Sequence, residues 1–201
     1  MQIVTRTDIK PGKARSQAER RAKTKGQLLD AARALFVEKG FAETGTPELV
    51  RQAGVTRGAL YHHFEDKTDL FRHVAEQEAQ AIAETIEQAT DGIKDPLEAM
   101  RVGTDAYFEA MAVPGRAKLL LADAAAVMGH EETLTLTRSK GSQELKNGLA
   151  RAMPYLTNAD LDAMTNVLSA AFDRAALEIA QGSARQPYTN ALFTLIKKAM
   201  A

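Results

Sequence analysis

The run AGVTRGALYHHF at residues 53–64 constrains the fold more than any other stretch, because it joins the end of one short helix to the start of another. Upstream, Thr46 and Pro47 have the pattern of an N-cap followed by a proline in the first turn. The helix that they start, PELVRQA, is predicted to end at Gly54. Thr56 can then cap the next helix. Two short helices joined by AGV have the dimensions of a helix-turn-helix.

The remainder of the sequence also has helical periodicity and no strand-like alternation. A buried stripe that includes Leu28 and Phe36 predicts a helix over 20–39. Asp66 can cap a fourth helix that runs to about Gln88. Breaks at proline and glycine divide the rest into helices predicted over 96–112, 115–128, 131–153 (with a break near 141), 159–181 and 188–199. The sequence therefore predicts an all-α fold.

Composition and charge narrow the class of protein. The chain has 201 residues and no cysteine, which excludes disulfides and thiolate metal sites. It has neither a signal-peptide pattern nor an apolar stretch of ~18 residues, so a cytoplasmic protein with no membrane partner is expected. Residues 1–75 hold 14 Lys and Arg against 9 Asp and Glu, whereas residues 76–201 hold 12 against 17. This asymmetry favours a polyanion-binding N-terminal part, and a solvated basic tail is the alternative.

The helix that follows Thr56 gathers polar residues on one face. At 100° per residue, Arg57, Gly58, Tyr61 and His62 span an arc of roughly 140°. Leu60 lies outside this arc, where it can pack onto a core. The polar residues therefore form one coherent surface.

The residue types on this face suit DNA. Arginine can donate two hydrogen bonds to guanine, and tyrosine and histidine can donate to phosphate. Glycine costs about 1 kcal/mol relative to alanine in a helix, so its presence fits a close approach to another surface. The backbone N–H groups and the helix dipole at a helix start favour a bound phosphate, and Thr46 and Lys67 lie at such starts. The residues that this chemistry predicts to bind DNA are Thr46, Arg57, Gly58, Tyr61, His62 and Lys67.

Other interpretations of these residues are weaker. His62 and His63 are adjacent, so on a helix they point about 100° apart and cannot easily chelate one ion. No Ser–His or Cys–His arrangement with an orienting acid is present. We therefore predict no catalytic residue, no metal site and no cofactor. Two alternatives stay open: Tyr61 and His63 as partly buried structural residues, and Gly58 as a merely tolerated glycine. His63 is left without a role.

The stretch AGVTRGALYHHFEDKTDLF, with the preceding LLDAARALFVEKGF, resembles the DNA-binding region of TetR-family transcriptional regulators over about residues 24–74. The resemblance implies a three-helix DNA-binding domain and a larger helical effector-binding and dimerisation domain. The corresponding boundaries are a basic flexible tail at 1–19, the DNA-binding domain at 20–66, and the second domain at 67–201 with a linking helix at 67–88. The resemblance places Thr56, Arg57, Gly58, Tyr61 and His62 on the recognition helix and its start, which adds Thr56 to the predicted DNA-binding residues. Lys67 matches the phosphate-contacting lysine of the family.

One stretch departs from the commonest family pattern. In TGTPELVRQAG, Gly45 stands where many members have a second hydroxyl residue, and Leu49 and Val50 replace an Ile-Ala pair. The departure shifts the predicted helix start onto Thr46 and Pro47. Which threonine contacts phosphate therefore stays open.

Residues 80–201 carry no motif of their own, so their role is what the resemblance implies. A homodimer through the last two long helices is expected, with an interface of Leu161, Leu168, Ala171, Ala175, Ile179, Leu192, Leu195 and Ile196. The alternative is that both helices cover the core of their own subunit. A dimer would let two recognition helices reach successive major grooves.

A small-molecule effector requires a pocket, and large apolar or aromatic residues of the middle helices are the candidates. These are Tyr107, Phe108, Met111, Leu120, Met128 and Phe172. For each of them, core packing is the alternative. Four acids could recognise a cationic ligand or lie on solvated faces: Asp105, Glu109, Asp123 and Asp173.

The sequence thus predicts a homodimeric repressor that binds a double-stranded DNA operator and is released by a small-molecule effector. Two other classes are distinguishable from it. An enzyme or scavenger with a helix-turn-helix module would turn over a bound compound. An architectural DNA-binding protein that senses no ligand would lack a cavity in its helical domain.

Overall fold

The computed structural model describes residues 12–139 and 141–199, and within those ranges every regular element is a helix, as predicted. The N-terminal helices are α1 (Gly12–Lys39), α2 (Thr46–Ala53), α3 (Arg57–His63) and α4 (Lys67–Thr90). They are followed by α5 (Pro96–Met111), α6 (Arg116–Met128), α7 (His130–Ser139), α8 (Gly141–Ala152), α9 (Asn158–Ala180) and α10 (Arg185–Ala199). In the described part of the chain, none of these helices has the length and apolarity needed to cross a membrane.

Helices α1, α2 and α3 pack with the first turns of α4 around a small aromatic core. The rings of Phe36, Phe41 and Phe71 lie 5.3 to 5.6 Å apart, centroid to centroid. Leu49 of α2 and Leu60 of α3 are buried against the same core. Helices α1 and α2 and the first turns of α4 therefore hold α3 by apolar contacts on its inner side.

Helix α4 runs through both parts of one continuous hydrophobic core. Phe71 and Val74, in its first half, are buried with the N-terminal helices. Ile82 and Ile86, in its second half, line the space between α4, α5 and α8. One continuous helix therefore connects the N-terminal domain with the interior of the second domain.

Two predictions about the N-terminal helices differ from the structure. Helix α1 begins at Gly12, eight residues before the predicted start, so the flexible tail predicted over 1–19 is wrong for 12–19; residues 1–11 lie outside the described residues. Residues 12–19 include good helix formers but no apolar stripe, so periodicity could not find these first turns of the helix. The N-cap of α2 is Gly45, and Thr46 is the first helical residue.

Two predicted helices in the second domain are interrupted. Within α6, an α-helical turn at Arg116–Lys118 is followed by a π-helical stretch at Leu119–Asp123 and then by Ala124–Met128. The helix predicted over 131–153 is two helices, α7 and α8, with the change near the predicted break. A π-helical stretch has no simple sequence signal, and it commonly occurs at functional sites.

Candidate nucleic-acid interface and ligand cavity

Helix α3 is fixed by a tight turn and a cap. Gly54 has a φ of +68°, the left-handed conformation that glycine adopts at little cost, and it ends α2. The Oγ1 of Thr56 accepts a hydrogen bond from the backbone N–H of Ala59 at 3.2 Å, as predicted for an N-cap. Leu60 and Phe64 are buried. The opposite face of α3 is therefore held in a defined orientation toward solvent.

The exposed face of α3 contains the four residues that the helical geometry predicts: Arg57, Gly58, Tyr61 and His62. The guanidinium carbon of Arg57 lies 5.5 Å from the ring centroid of Tyr61. The neighbouring side chains of Arg57 and Thr46 lower the pKa of the Tyr61 hydroxyl below its ordinary value of 10.0. Thr46, from the start of α2, therefore joins Arg57 and Tyr61 in one polar cluster.

Gly58 is not required by the packing of the chain itself. A Cβ atom built on Gly58 would meet only Thr56 Oγ1, at 3.9 Å, which is an ordinary contact. The helix accepts the cost of glycine, about 1 kcal/mol, without an internal steric reason. The open space above Gly58 is therefore available to a surface that approaches from outside.

Lys67 lies in a different environment from the residues of α3. Its Nζ donates to the carbonyl oxygens of Phe41 at 2.8 Å and Thr44 at 3.0 Å. It also lies 4.2 Å from the centroid of the Phe41 ring. Lys67 therefore ties the start of α4 to the turn after α1, a structural role that local sequence reasoning missed because the partners lie more than 20 residues away.

His63 lies half-buried between α3 and α1. Burial and the nearby positive charges of His62, Arg21 and Lys25 lower its pKa from 6.5. A depressed pKa favours the neutral imidazole, which suits the structural alternative for this residue. Within residues 12–139 and 141–199, no group of three or more His, Cys, Asp or Glu residues is arranged to hold a metal ion.

The second domain contains a cavity of about 150 Å³ between α4, α5, α6, α8 and α9. Four of the six predicted ligand-binding residues line it: Tyr107, Met111, Leu120 and Phe172. Phe108 and Met128 do not line it. Phe108 follows Tyr107 on the helix and so points about 100° away, where it is buried against other residues. Met128 lies at the end of α6, beyond the π-helical stretch.

Part of the cavity wall was not predicted. Helix α4 contributes apolar residues such as Ile82 and Ile86, and α8 contributes the polar Ser142 and Glu144. The prediction named large apolar residues and four acids, of which Asp173 lines the cavity, and it named no residue of α4 or α8. Nothing in the local pattern of α8 shows that it faces a cavity, because this depends on how α4, α5 and α8 pack together.

A partly buried hydrogen bond crosses one side of the cavity. The Tyr107 hydroxyl donates to Asp173 Oδ1 at 2.9 Å. Burial raises the pKa of Asp173, and the hydrogen bond from Tyr107 offsets only part of that effect. Burial, followed by the charge of Asp173, raises the pKa of Tyr107 well above 10.0. The tyrosine therefore keeps its proton, and the carboxylate of Asp173 accepts a hydrogen bond from the hydroxyl group.

Three charged residues join the two domains near the cavity. Glu78 of α4 accepts hydrogen bonds from Arg33 Nε at 2.8 Å and from Arg116 Nε at 2.7 Å. Arg33 also donates to the carbonyl oxygen of Pro114 at 3.2 Å. A Cβ atom on Gly115 would overlap Val37 of α1. The loop between α5 and α6 is therefore held directly against α1. We call Arg33, Glu78 and Arg116 the charged joint.

Most of the predicted subunit interface faces the interior of its own subunit. Five of the eight residues are buried: Leu161, Leu168, Ala175, Leu192 and Ile196. Ala171 and Ile179 are half-buried, and Leu195 is exposed. A side chain that its own subunit already removes from water has no surface left to bury against a second copy. The prediction is wrong for the five buried residues, because the most apolar stripe of each helix is the inner one.

Comparisons with known protein families agree with this arrangement. Residues 28–74 match the family described as bacterial regulatory proteins, tetR family, and residues 97–200 match the tetracyclin repressor-like C-terminal domain. The first range contains α2, α3 and the start of α4. The second contains most of the residues that line the cavity.

Two curated relatives and one solved structure illustrate the similarity. The HTH-type transcriptional regulator AcrR of Shigella flexneri is 35% identical over 109 residues, which are 54% of this chain and 51% of AcrR. The HTH-type transcriptional repressor BepR of Brucella suis is 45% identical over 60 residues, which are 30% of this chain and 28% of BepR. The aligned region thus spans about half the length of AcrR and less of BepR.

The similarity in three dimensions extends over nearly the whole chain. The crystal structure of a TetR-family transcriptional regulator from Pectobacterium atrosepticum has a TM-score of 0.65 and 28% identity, and the match covers 90% of this chain and 94% of that one. The matched part of this chain includes both the N-terminal helices and the domain that contains the cavity. The protein therefore belongs to the TetR family of bacterial transcriptional regulators.

Proposed function

We propose that the protein is a cytoplasmic, homodimeric repressor that binds a double-stranded DNA operator through α3 of each subunit. A small molecule in the cavity of the second domain is the effector that releases the operator. The observation that carries this proposal is the exposed face of α3, where Arg57 and Tyr61 are held outward by the buried Leu60 and Phe64.

The proposed DNA contacts have two roles: some recognise bases, and others position the protein on the phosphate backbone. Arg57 is the residue that can bind a guanine edge with two hydrogen bonds. Thr46, Tyr61 and His62 carry donors suited to phosphate, and Gly58 lets the helix approach the groove. Thr56 caps the helix, and Lys67 contributes positive charge from a position fixed by its carbonyl partners. One such helix reads few base pairs, so specificity requires a second copy about one helical turn of DNA away.

The outer faces of α9 and α10 are the surface that we propose for the second copy. Val167 of α9 is 68% exposed and Leu195 of α10 is 54% exposed. Ala163 and Ala170 lie on the same exposed face of α9, at helical spacing from Val167. Small residues beside exposed apolar ones let two helices approach closely. This outer stripe replaces the inner stripe of the original prediction.

Effector release requires a connection between the cavity and α3. Helix α4 lines the cavity with Ile82 and Ile86 and also carries Glu78 of the charged joint. Met111 and Leu120 line the cavity on either side of the loop that contacts α1. A ligand that moves α4 or this loop would therefore move α1, which packs on α2 and α3. The ligand must bind one of the two arrangements better than the other to shift their populations.

The proposal is tested by the retention of DNA fragments that flank the gene, compared with random DNA at physiological salt. We expect one fragment to be retained, with a palindromic footprint and two chains per site. Affinity should fall steeply as salt increases, because phosphate contacts release counterions. If no fragment is retained above random DNA, the proposal is wrong.

A further inference from the structure

The free polar atoms on the cavity wall are mainly acceptors. Asp173 uses Oδ1 to accept from Tyr107, and among residues 12–139 and 141–199 its Oδ2 has no hydrogen-bond partner. Glu144 also lines the cavity, and neither carboxylate forms an ion pair within those ranges. Asp173 therefore offers one carboxylate oxygen to a ligand.

The hydroxyl donors of the wall are engaged within the protein. Thr90 and Thr104 donate to carbonyl oxygens of their own helices. Ser142 and Ser169 form a hydrogen bond with each other at 2.9 Å between their hydroxyl oxygens.

The wall also contains an amide and a guanidinium group. These belong to Asn147 and Arg151, whose side chains are exposed. Arg151 donates to the carbonyl oxygen of Ile93, outside the lining of the cavity. Arg151 is the cation among the lining residues, and it forms no ion pair with Asp173 or Glu144.

The size and the rings of the cavity limit what it can hold. A volume of about 150 Å³ matches that of an apolar protein cavity that binds benzene. The rings of Tyr107 and Phe172 meet edge to face at 5.2 Å, beside the Asp173 carboxylate. Aromatic ring faces attract cations when water is excluded. The wall thus combines apolar surface for one ring with attraction for a single positive charge.

We propose that the effector is a compact organic cation, about one aromatic ring in size, whose protonated amine pairs with Asp173. The inference rests on the proposed function only in that this ligand is the effector. The Tyr107 hydroxyl orients the carboxylate by holding Oδ1, which leaves Oδ2 for the ammonium group. Glu144 adds a second negative charge on the wall.

The electrostatics of the cavity wall fit this ligand class. Partial burial of a carboxylate without a cation is unfavourable, and the raised pKa of Asp173 reflects that cost. An ammonium group restores a charged partner, whereas a carboxylate ligand adds repulsion. A neutral ligand of the same shape gains the apolar contacts alone.

Calorimetric titration of the DNA-free protein near neutral pH with three probes tests the proposal. The probes are benzylammonium chloride, benzyl alcohol and sodium benzoate, which share one ring and differ in charge. We expect benzylammonium to bind roughly tenfold to hundredfold more tightly than benzyl alcohol, and benzoate to bind least. Asp173→Asn keeps the size and an acceptor for Tyr107, and it should bring the affinities of benzylammonium and benzyl alcohol to within a few-fold of each other.

A matched control removes one negative charge outside the cavity. Glu109 is exposed on α5 and does not line the cavity, so Glu109→Gln should leave all three affinities unchanged. The inference is overturned if benzyl alcohol or benzoate binds at least as tightly as benzylammonium. It is also overturned if none of the three binds at millimolar concentration, or if Asp173→Asn keeps the preference.

Failure of the ligand class and failure of the repressor function give different results. Binding is measured without DNA, so the cation preference stands or falls on its own. If benzylammonium binds through Asp173 but leaves an operator complex intact, the ligand class is right and the release mechanism is wrong. If the operator is bound and only the neutral or anionic probe releases it, the function is right and the ligand class is wrong.

Discussion

Arg33 of α1 donates a hydrogen bond to Glu78 of α4 over 2.8 Å, and this ion pair crosses from the N-terminal helices to the domain that contains the cavity. Glu78 is 6% exposed and also pairs with the buried Arg116. A carboxylate shared by two arginines from different elements fixes their relative positions. The charged joint is therefore a direct contact between α1 and the domain that contains the cavity.

Replacing Glu78 should destabilise the protein strongly. Glu78→Gln leaves the buried Arg116 without a charged partner, and loss of one member of a buried ion pair costs roughly 3 kcal/mol or more. Urea unfolding followed by circular dichroism measures the change. Glu98→Gln is the control, because Glu98 forms an exposed pair with Arg101 and its loss should change the free energy of unfolding little. Equal stability of the two variants would contradict the role of the joint.

The same carboxylate should make stability depend on acid pH. Burial raises the pKa of Glu78, but hydrogen bonds from Arg33 and Arg116 and the charges of both arginines outweigh it, so the pKa lies below 4.5. A carboxyl group with a lowered folded-state pKa binds fewer protons when folded, so its stabilisation is present above 4.5 and is lost as the pH falls through the folded-state pKa.

The difference in unfolding free energy between the wild type and Glu78→Gln should therefore be largest near neutral pH. It should decrease as the pH falls below about 4.5. Unfolding curves collected from about pH 6 to pH 3 measure it. A difference that stays constant over that range would show that the pKa of Glu78 is not lowered by folding.

Gly58→Ala should separate stability from DNA binding. The added methyl group has space in the free protein, and alanine is favoured over glycine in a helix by about 1 kcal/mol, so thermal stability should rise. The same methyl group would lie between α3 and the DNA, and operator affinity should fall by about tenfold. Melting curves and fluorescence anisotropy measure the two effects.

Gly26→Ala is the matched control for this pair of effects. Gly26 lies within α1, and a Cβ atom there meets nothing within 4 Å. The change should raise stability in the same way and leave operator affinity unchanged. If Gly58→Ala also left operator affinity unchanged, Gly58 would be a merely tolerated glycine.

Charge on the outer stripe should dissociate the dimer. Val167→Glu and Leu195→Glu alter side chains that are exposed in the single chain, so the fold of each subunit should persist. Light scattering coupled to gel filtration should show a shift from two chains to one, and operator binding should weaken because two recognition helices are no longer linked. Ala89→Glu, an exposed site on α4, is the control. Intact dimers in both variants would place the interface elsewhere.

The surface of α3 could be predicted from sequence because its causes are local. The cap at Thr56 and the spacing of Leu60 and Phe64 fix which side of a short helix faces the core. The structure places Arg57 and Tyr61 on the opposite side, as that spacing requires. Their contact with DNA stays a prediction.

The features that could not be predicted depend on distant contacts. The hydrogen bonds of Lys67 and the partners of Glu78 join residues that are 23 to 45 positions apart. The same limit applies to the subunit interface. Periodicity identifies the most apolar stripe of a helix, but a helix that packs on both sides buries that stripe inside its own subunit. The outer stripe at Val167 and Leu195 is only visible once the chain is folded.

Binding constants for an operator fragment and a random duplex, measured for the wild type and for Arg57→Ala at one fixed salt concentration, test the central claim that α3 reads sequence. Loss of a bidentate base contact costs about 1–3 kcal/mol of discrimination, so the operator-to-random ratio should fall roughly 5- to 150-fold while random binding changes little. Lys67→Ala should instead weaken both duplexes alike. Equal losses on operator and random DNA for Arg57→Ala would contradict the claim.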